Sequence, residues 1–157
     1  GVDHVALFTE KLTCKRARTG GHIVLHQDYP YWAPMSPVAD KVCTALICLD
    51  DATVENGCLE VVPGSHREGI PTQRKVDGFG NREIDRDAYD QSRLVPIEAE
   101  AGSIVFFGGF LVHRSLPNKS ANDRRALLYS YQPAGYPHAL ELNRLFLQRA
   151  KEGARMS

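Results

Sequence analysis

Residues 103–131 carry the sequence SIVFFGGFLVHRSLPNKSANDRRALLYSY, in which two apolar runs flank a polar stretch. The runs at residues 103–107 and 125–131 are short and contain branched and aromatic side chains, which favour β-strands. The polar stretch between them has the proline, asparagine and serine residues of a connecting loop. This part of the chain therefore predicts two β-strands, with a polar loop that follows His113 between them.

Short predicted strands of the same kind recur along the rest of the chain. They lie at residues 5–8, 12–15, 23–26, 42–49, 59–62 and 94–97, and turn signals such as Asn56-Gly57 separate them. This repetition predicts a mostly β fold, either a sandwich or a barrel, and is typical of double-sheet, cupin-like jelly rolls. One amphipathic helix is predicted at residues 139–150, and we expect it to pack against the core.

Size and charge limit the classes of protein that fit the sequence. The chain has 157 residues, which predicts a single domain over residues 1–157. Basic and acidic side chains balance at 19 each, so charge gives no reason to expect a nucleic acid partner. Neither a signal peptide nor an apolar run of about 20 residues is visible, so we expect a cytoplasmic protein without a membrane span. Because the chain starts at Gly1, missing N-terminal elements stay an open alternative.

The four cysteines are Cys14, Cys43, Cys48 and Cys58. No two of them form a CxxC pair, and an even number alone is weak evidence for disulfides in a chain of this size. We therefore expect four reduced and mostly buried thiols.

Residues 65–93 form a long polar segment that contains both charge signs and the glycines Gly69, Gly78 and Gly80. Long loops are uncommon inside compact domains unless they cover a functional site or are flexible insertions. The sequence predicts a loop here and leaves open whether that loop is a lid.

His26 and Asp28 lie two residues apart at the end of a predicted strand. Side chains alternate across a strand, so positions i and i+2 share a face and both groups could reach one metal ion. They are two of the three donor types of a 2-His-1-carboxylate site for non-haem Fe(II), and His113 is the natural third ligand. Without further residues, a histidine and an aspartate at the end of a strand are more often an ordinary hydrogen-bonded pair than metal ligands.

Arg124 stands eleven residues after His113, near the start of the last predicted strand. That strand would place its guanidinium inside the same barrel as the predicted metal site. A buried cation without a partner is costly, and a guanidinium fits a carboxylate through two parallel hydrogen bonds. An acidic cosubstrate is therefore the expected partner.

Three motifs in this order match a known family: HQDYPYW at residues 26–32, ENGCLEVVPGSH at residues 55–66 and HRSLPNKSANDRRALLYSY at residues 113–131. Across residues 12–133 the chain resembles the phytanoyl-CoA dioxygenase family of Fe(II)- and 2-oxoglutarate-dependent oxygenases. The resemblance implies a double-stranded β-helix, which is a jelly roll. It also implies that His26, Asp28 and His113 bind iron and form the catalytic centre.

The resemblance further implies residues that bind the cosubstrate. Arg124 is implied to hold the distal carboxylate of 2-oxoglutarate, with Arg125 pointing outward. Ser115 is implied to contact the same carboxylate, and Thr44 to lie beside the cosubstrate, although relatives have tryptophan at that position. The suggested substrate residues are Gln27, Tyr29, Trp32 and Arg114, of which Arg114 equally well points outward.

The function that the resemblance implies is hydroxylation of a small molecule by O2, with release of succinate and CO2 from 2-oxoglutarate. The carboxylate at Asp28 favours hydroxylation, because related halogenases have a small residue there. Two alternatives stay open: a non-catalytic cupin-like module that binds a metal or a ligand, and a truncated, inactive oxygenase. The sequence identifies neither the substrate nor the oligomeric state.

Overall fold

The computed structural model of the protein describes residues 3–75, 82–142 and 144. The strands in these residues are β1 (Val5–Lys15), β2 (Ile23–His26), β3 (Cys43–Cys48), β4 (Leu59–Val61), β5 (Gln73–Lys75), β6 (Arg82–Ile84), β7 (Val95–Ile97), β8 (Ile104–Gly108), β9 (His113–Ser115) and β10 (Arg124–Pro133). A short helix, α1 (Tyr29–Trp32), and the 3₁₀ turns Ala39–Lys41, Ser65–Arg67 and Gln91–Arg93 lie in the connections.

Eight of these strands form two antiparallel, four-stranded sheets. Their strand orders are β1-β10-β3-β8 and β2-β9-β4-β7, whereas β5 and β6 pair separately as a hairpin. The main core lies between the two large sheets: Leu46, Phe107 and Ala126 from the first sheet form one buried cluster with Leu59 and Val61 from the second. The predicted mostly β jelly roll is therefore confirmed.

Strand β1 differs from its prediction as two separate strands. It is continuous from Val5 to Lys15 and pairs with β10 along its length. A register shift between Leu7 and Thr9 allows the chain to continue through the polar residues that suggested a break. Such a bulge adds a residue to one strand without ending the pairing.

The segment at residues 65–93 was predicted as a loop, and this prediction is wrong for part of its length. The hairpin of β5 and β6 and two 3₁₀ turns lie within it. Ile84 is fully buried against Leu25, and the buried Glu83 forms ion pairs with Arg74 and Arg86. These buried contacts explain the secondary structure that the polar composition concealed. A role for the segment as a lid stays a prediction.

The expectation of mostly buried cysteines holds for only two of the four. All four are free thiols: Cys48 and Cys58 are buried, whereas Cys14 and Cys43 are exposed. Burial raises the pKa of both inner thiols. Cys14 and Cys43 follow the alternation of their strands, which turns every second side chain away from the core.

Helix is scarce in the described residues. Residues 139–142 are helical, and Ala139 and Leu142 pack against the buried cluster that contains Phe8 and Trp32, as expected for a packing helix. The rest of the predicted helix at residues 139–150, except residue 144, lies outside the described residues. In the described residues no helix is both long enough and apolar enough to cross a membrane.

Candidate active site

Two histidines meet where β2 pairs with β9. The antiparallel register places His26 directly opposite His113, and the centroids of their rings are 4.1 Å apart. Side chains of directly paired residues lie on the same face of a sheet. Pairing of two short strands therefore brings together two residues that are far apart in the sequence.

Asp28 joins the two histidines from the N-cap position of α1. The residue has helical backbone angles at the N-cap position, and Pro30 lies in the first turn, where its fixed φ is tolerated. The Asp28 carboxylate does not cap the helix; its oxygens lie 3.5 Å from His26 Nε2 and 4.0 Å from His113 Nε2. From the sequence, His26 and Asp28 were expected to share a face because side chains alternate along a strand. This reason is wrong, because the strand ends at His26.

Backbone hydrogen bonds orient both imidazoles. His26 Nδ1 lies 2.7 Å from the carbonyl oxygen of Val24, and His113 Nδ1 lies 2.8 Å from that of Leu111. An Nδ1–H that donates to a carbonyl leaves the Nε2 lone pair free for a metal ion. One donor atom from each of His26, Asp28 and His113 lies within 4.8 Å of the other two. This cluster could hold a metal ion.

Electrostatics favour the protonation states that a metal requires. Burial lowers the pKa of His113 to about 4, and the charge of His26 acts in the same direction. Burial alone would raise the pKa of Asp28, but its hydrogen bond with His26 and the nearby positive charges hold it at about 2. Near neutral pH His113 is therefore neutral and Asp28 is a carboxylate, as metal ligands must be.

A cavity of about 70 Å³ extends from these three residues into the barrel. Arg124 lines it and is buried, with an Nε atom that has no hydrogen-bond partner in the described part of the chain. Arg125 lies outside, and its guanidinium donates two hydrogen bonds to Asp50, at 2.9 and 2.7 Å. Arg124 thus points inward and Arg125 outward, as expected from the sequence.

The two other predicted cosubstrate residues differ in position. Ser115 is buried and lines the cavity, where its hydroxyl donates to the carbonyl oxygen of Gly57 at 2.8 Å. Thr44 is also buried, but its hydroxyl lies 2.8 Å from that of Ser130, and the residue does not line the cavity.

A second, more open cavity of about 420 Å³ shares His26 and Asp28 with the inner one. We refer to the two as the inner and the outer cavity. The remaining residues that line the outer cavity are Lys11, His22, Ile23, Val24, Tyr31 and Trp32. Trp32, which was predicted to contact substrate, is one of these lining residues. Its ring also packs edge-on against Phe8.

Two other predicted substrate residues line neither cavity. Gln27 is fully buried, and its amide donates to the carbonyl oxygens of Gly69 and Phe110 at 2.9 and 2.6 Å. Tyr29 stacks on the Phe110 ring, with 4.1 Å between the centroids. Both side chains hold neighbouring loops together, which is a structural use that the sequence motif did not reveal.

Arg114 lies on the inner cavity but is already paired. It donates from Nε to Glu60 Oε2 at 2.5 Å and from a terminal nitrogen to Gln91 Oε1 at 2.9 Å. Glu60 is its direct partner across β4 and β9, whereas Gln91 belongs to the segment at residues 65–93. Arg114 therefore connects that segment to the strand that carries His113.

Several lining residues were not predicted. The inner cavity is also formed by Lys11, Thr13, Ile23, Leu46, Leu59, Phe107 and Leu128. Period-two alternation along β1 relates Lys11 and Thr13, and alternation would have been the signal for finding them. Two strands were predicted here from the sequence, at residues 5–8 and 12–15, and Lys11 lies between them.

Fold and site together define a jelly-roll protein with two histidines and one carboxylate clustered as a possible metal centre. The sequence model of one family, described as Phytanoyl-CoA dioxygenase (PhyH), matches residues 2–126. The chain belongs to this family.

Two similar proteins illustrate the range of the family. A phytanoyl-CoA dioxygenase of Arabidopsis thaliana is 38% identical over 117 residues, which are 71% of this chain and 39% of that protein. A methylphosphonate hydroxylase of Gimesia maris is 34% identical over 125 residues, which are 80% of this chain and 44% of that protein. The chain thus spans about two fifths of the length of these relatives.

Solved structures share the fold. EvdO2 from Micromonospora carbonacea var. aurantiaca, solved as a complex with 2-oxoglutarate, superposes with a TM-score of 0.73 at 26% identity. The match covers 83% of this chain and 52% of that one.

Proposed function

We propose that this chain forms the catalytic part of an Fe(II)- and 2-oxoglutarate-dependent oxygenase that hydroxylates a small molecule. The observation that carries the proposal is the cluster of His26, Asp28 and His113, which opens into a cavity lined by the buried Arg124. Family membership and the 2-oxoglutarate complex of EvdO2 support the same conclusion.

The donor set fits iron. Two imidazole nitrogens and one carboxylate are the ligands of a facial triad, which leaves coordination positions open for other molecules. His26, Asp28 and His113 would hold the metal, and the carbonyl groups of Val24 and Leu111 would keep the imidazoles oriented toward it. Iron with bound 2-oxoglutarate supplies the oxidation, in which O2 is consumed, succinate and CO2 are released and a C–H bond is hydroxylated.

Arg124 and Ser115 would bind the cosubstrate. An unpaired guanidinium nitrogen in a buried cavity needs an acceptor, and a carboxylate provides a charge-assisted hydrogen bond. The Ser115 hydroxyl lines the same cavity and can accept or donate a further hydrogen bond. Thr44 would act only indirectly, since it lines neither cavity.

Substrate would enter through the outer cavity. Its volume of about 420 Å³ is in the range of small-molecule sites, and Trp32 and Tyr31 provide aromatic surface next to the metal ligands. Hydroxylation of a small molecule has a precedent in the relative named methylphosphonate hydroxylase.

The test is conversion of 2-oxoglutarate to succinate in air with Fe(II) and ascorbate, measured by mass spectrometry. The wild type should form succinate slowly even without substrate, and Asp28→Ala should form none above the level of free iron. Metal and 2-oxoglutarate binding without succinate would contradict the proposal and favour a non-catalytic binding module.

A further inference from the structure

Strand β1 places three polar side chains at alternate positions on the interior side of the barrel: Lys11, Thr13 and Lys15. Two of them have partners within the protein. The Thr13 hydroxyl donates to a carbonyl group of β10 at 3.2 Å, and Lys15 Nζ donates to three backbone carbonyl groups at 2.5 to 3.4 Å. Lys11 makes no hydrogen bond or ion pair with any residue that the structure describes.

The position of Lys11 relates it to the metal ligands. It lines both the inner and the outer cavity, which meet at His26 and Asp28. The ammonium group therefore stands beside the candidate metal centre, where the two cavities join.

The cavities offer no acidic partner for Lys11 once a metal is bound. Among the described residues Asp28 is the one acidic side chain that lines either cavity, and the proposed function assigns it to the metal. The other walls of the outer cavity include the apolar side chains of Ile23 and Val24 and the rings of Tyr31 and Trp32. An unpaired cation next to apolar walls is complementary to an amphipathic anion.

We infer that Lys11 determines specificity by selecting a substrate that has an anionic group on an apolar body. The inference rests on the proposed function and adds the substrate class to it. Arg124 lines only the inner cavity, whereas Lys11 also lines the outer one, so the two cations are placed for different ligands. Because Lys11 is exposed, solvent screens its charge and the preference for an anion should be modest and sensitive to salt.

Three probes of similar size and different charge test this inference: butyrate, butyramide, which has the same shape as butyrate, and butylammonium. Each is titrated into the anaerobic protein with Fe(II) and 2-oxoglutarate, and paramagnetic broadening of the probe's methyl proton signal reports binding near the iron. Wild type should bind butyrate about fivefold more tightly than butyramide. K11M should remove this preference, and K11E should shift it to butylammonium. K119M is the matched control, because Lys119 is exposed and lines neither cavity.

Visible absorption of the iron–2-oxoglutarate complex distinguishes a failure of this inference from a failure of the proposed function. A preference for butyrate that survives K11M would overturn the inference, as would butyrate binding that displaces 2-oxoglutarate and removes its absorption band. Equal binding of all three probes to the wild type would overturn it too. If the wild type formed no band with Fe(II) and 2-oxoglutarate, the proposed function would fail, and the inference with it.

Discussion

At the scale of single residues, the two arginines that begin β10 show how position along a strand determines the environment of a side chain. Arg124 is buried and lines the inner cavity, whereas the neighbouring Arg125 is exposed and pairs with Asp50. Alternation along one strand separates two identical side chains into different environments. A substitution of Arg125 is therefore a control for the same substitution of Arg124, because each removes one guanidinium from the same strand.

We expect Arg124→Met to raise the 2-oxoglutarate concentration for half-saturation at least tenfold. Loss of a charge-assisted hydrogen bond in a buried site costs about 1.5 to 3 kcal/mol, and each 1.4 kcal/mol is about tenfold in affinity. Calorimetric titration of the Fe(II) protein without O2 measures the change. Arg125→Met should leave the affinity unaltered, and an equal loss in both variants would show that the buried guanidinium is not the anchor.

The buried His113 should make the metal-free protein sensitive to mild acid. Its folded pKa of about 4 lies below the usual 6.5, so the unfolded chain takes up a proton between these values and the folded chain does not. Stability is therefore lost as the pH falls from about 6.5 toward 4. Asp28, with a pKa of about 2 against 3.8, acts in the same direction only below about pH 4.

Urea unfolding with a chelator present tests this dependence. From pH 7 to pH 4.5 the free energy of unfolding should fall by about 2 kcal/mol more in the wild type than in His113→Asn. The exposed His22 offers a control, since His22→Asn should keep the full decline. Equal pH dependence in wild type and His113→Asn would contradict the assigned burial effect.

At the scale of elements, the candidate metal centre is made where β2, β9 and α1 meet. The pairing of His26 with His113 depends on a register that no local pattern specifies, because β9 has only three residues and was not predicted. The family motifs nevertheless identified all three clustered residues. A match to a family implies which side chains come together, but it does not explain how the fold brings them together. Gln27 and Tyr29, inside the same motif, contact loops and line neither cavity, and their assignment to substrate stays a prediction.

Arg114 should fasten the segment at residues 65–93 to the sheet that holds His113. In Arg114→Met the carboxylate of Glu60 loses its partner and the contact with Gln91 disappears, at a cost of about 1 to 2 kcal/mol. We expect faster hydrogen exchange at the Leu94 amide, which donates to the carbonyl of Gln91. Arg16→Met removes an exposed ion pair with Asp123 elsewhere and should leave this amide unaffected. Unchanged exchange in Arg114→Met would show that the contact does not fasten the segment.

At the scale of the whole molecule, the two sheets form a barrel that encloses the candidate metal ligands and Arg124. The mostly β jelly roll could be predicted because its strands are short, apolar and regularly punctuated. The hairpin within residues 65–93 could not, since its strands are polar and the packing of Ile84 against Leu25 is a contact between residues far apart in the sequence. Exposure of Cys14 and Cys43 likewise depends on strand alternation rather than on residue type.

Metal binding should stabilise the entire fold, because it would link His113 to His26 and Asp28, which lie far from it in the sequence. At a metal concentration one hundred times the Kd, binding to the folded state adds about 2.7 kcal/mol. For a chain of this size we expect Fe(II) to raise Tm by about 5 to 10 °C under anaerobic conditions, as measured by calorimetry. A chelator should reverse the shift, and Asp28→Ala should show none. An equal shift in that variant would place the metal elsewhere.

The central claim is that His26, Asp28 and His113 bind iron so that 2-oxoglutarate can chelate it from the cavity of Arg124. Anaerobic titration of the Fe(II) protein with 2-oxoglutarate, followed by visible absorption, tests this claim without knowledge of the substrate. We predict a weak charge-transfer band that is absent in Asp28→Ala and needs more 2-oxoglutarate in Arg124→Met. A folded, iron-loaded wild type that develops no band, or an Asp28→Ala variant that keeps it, would contradict the claim.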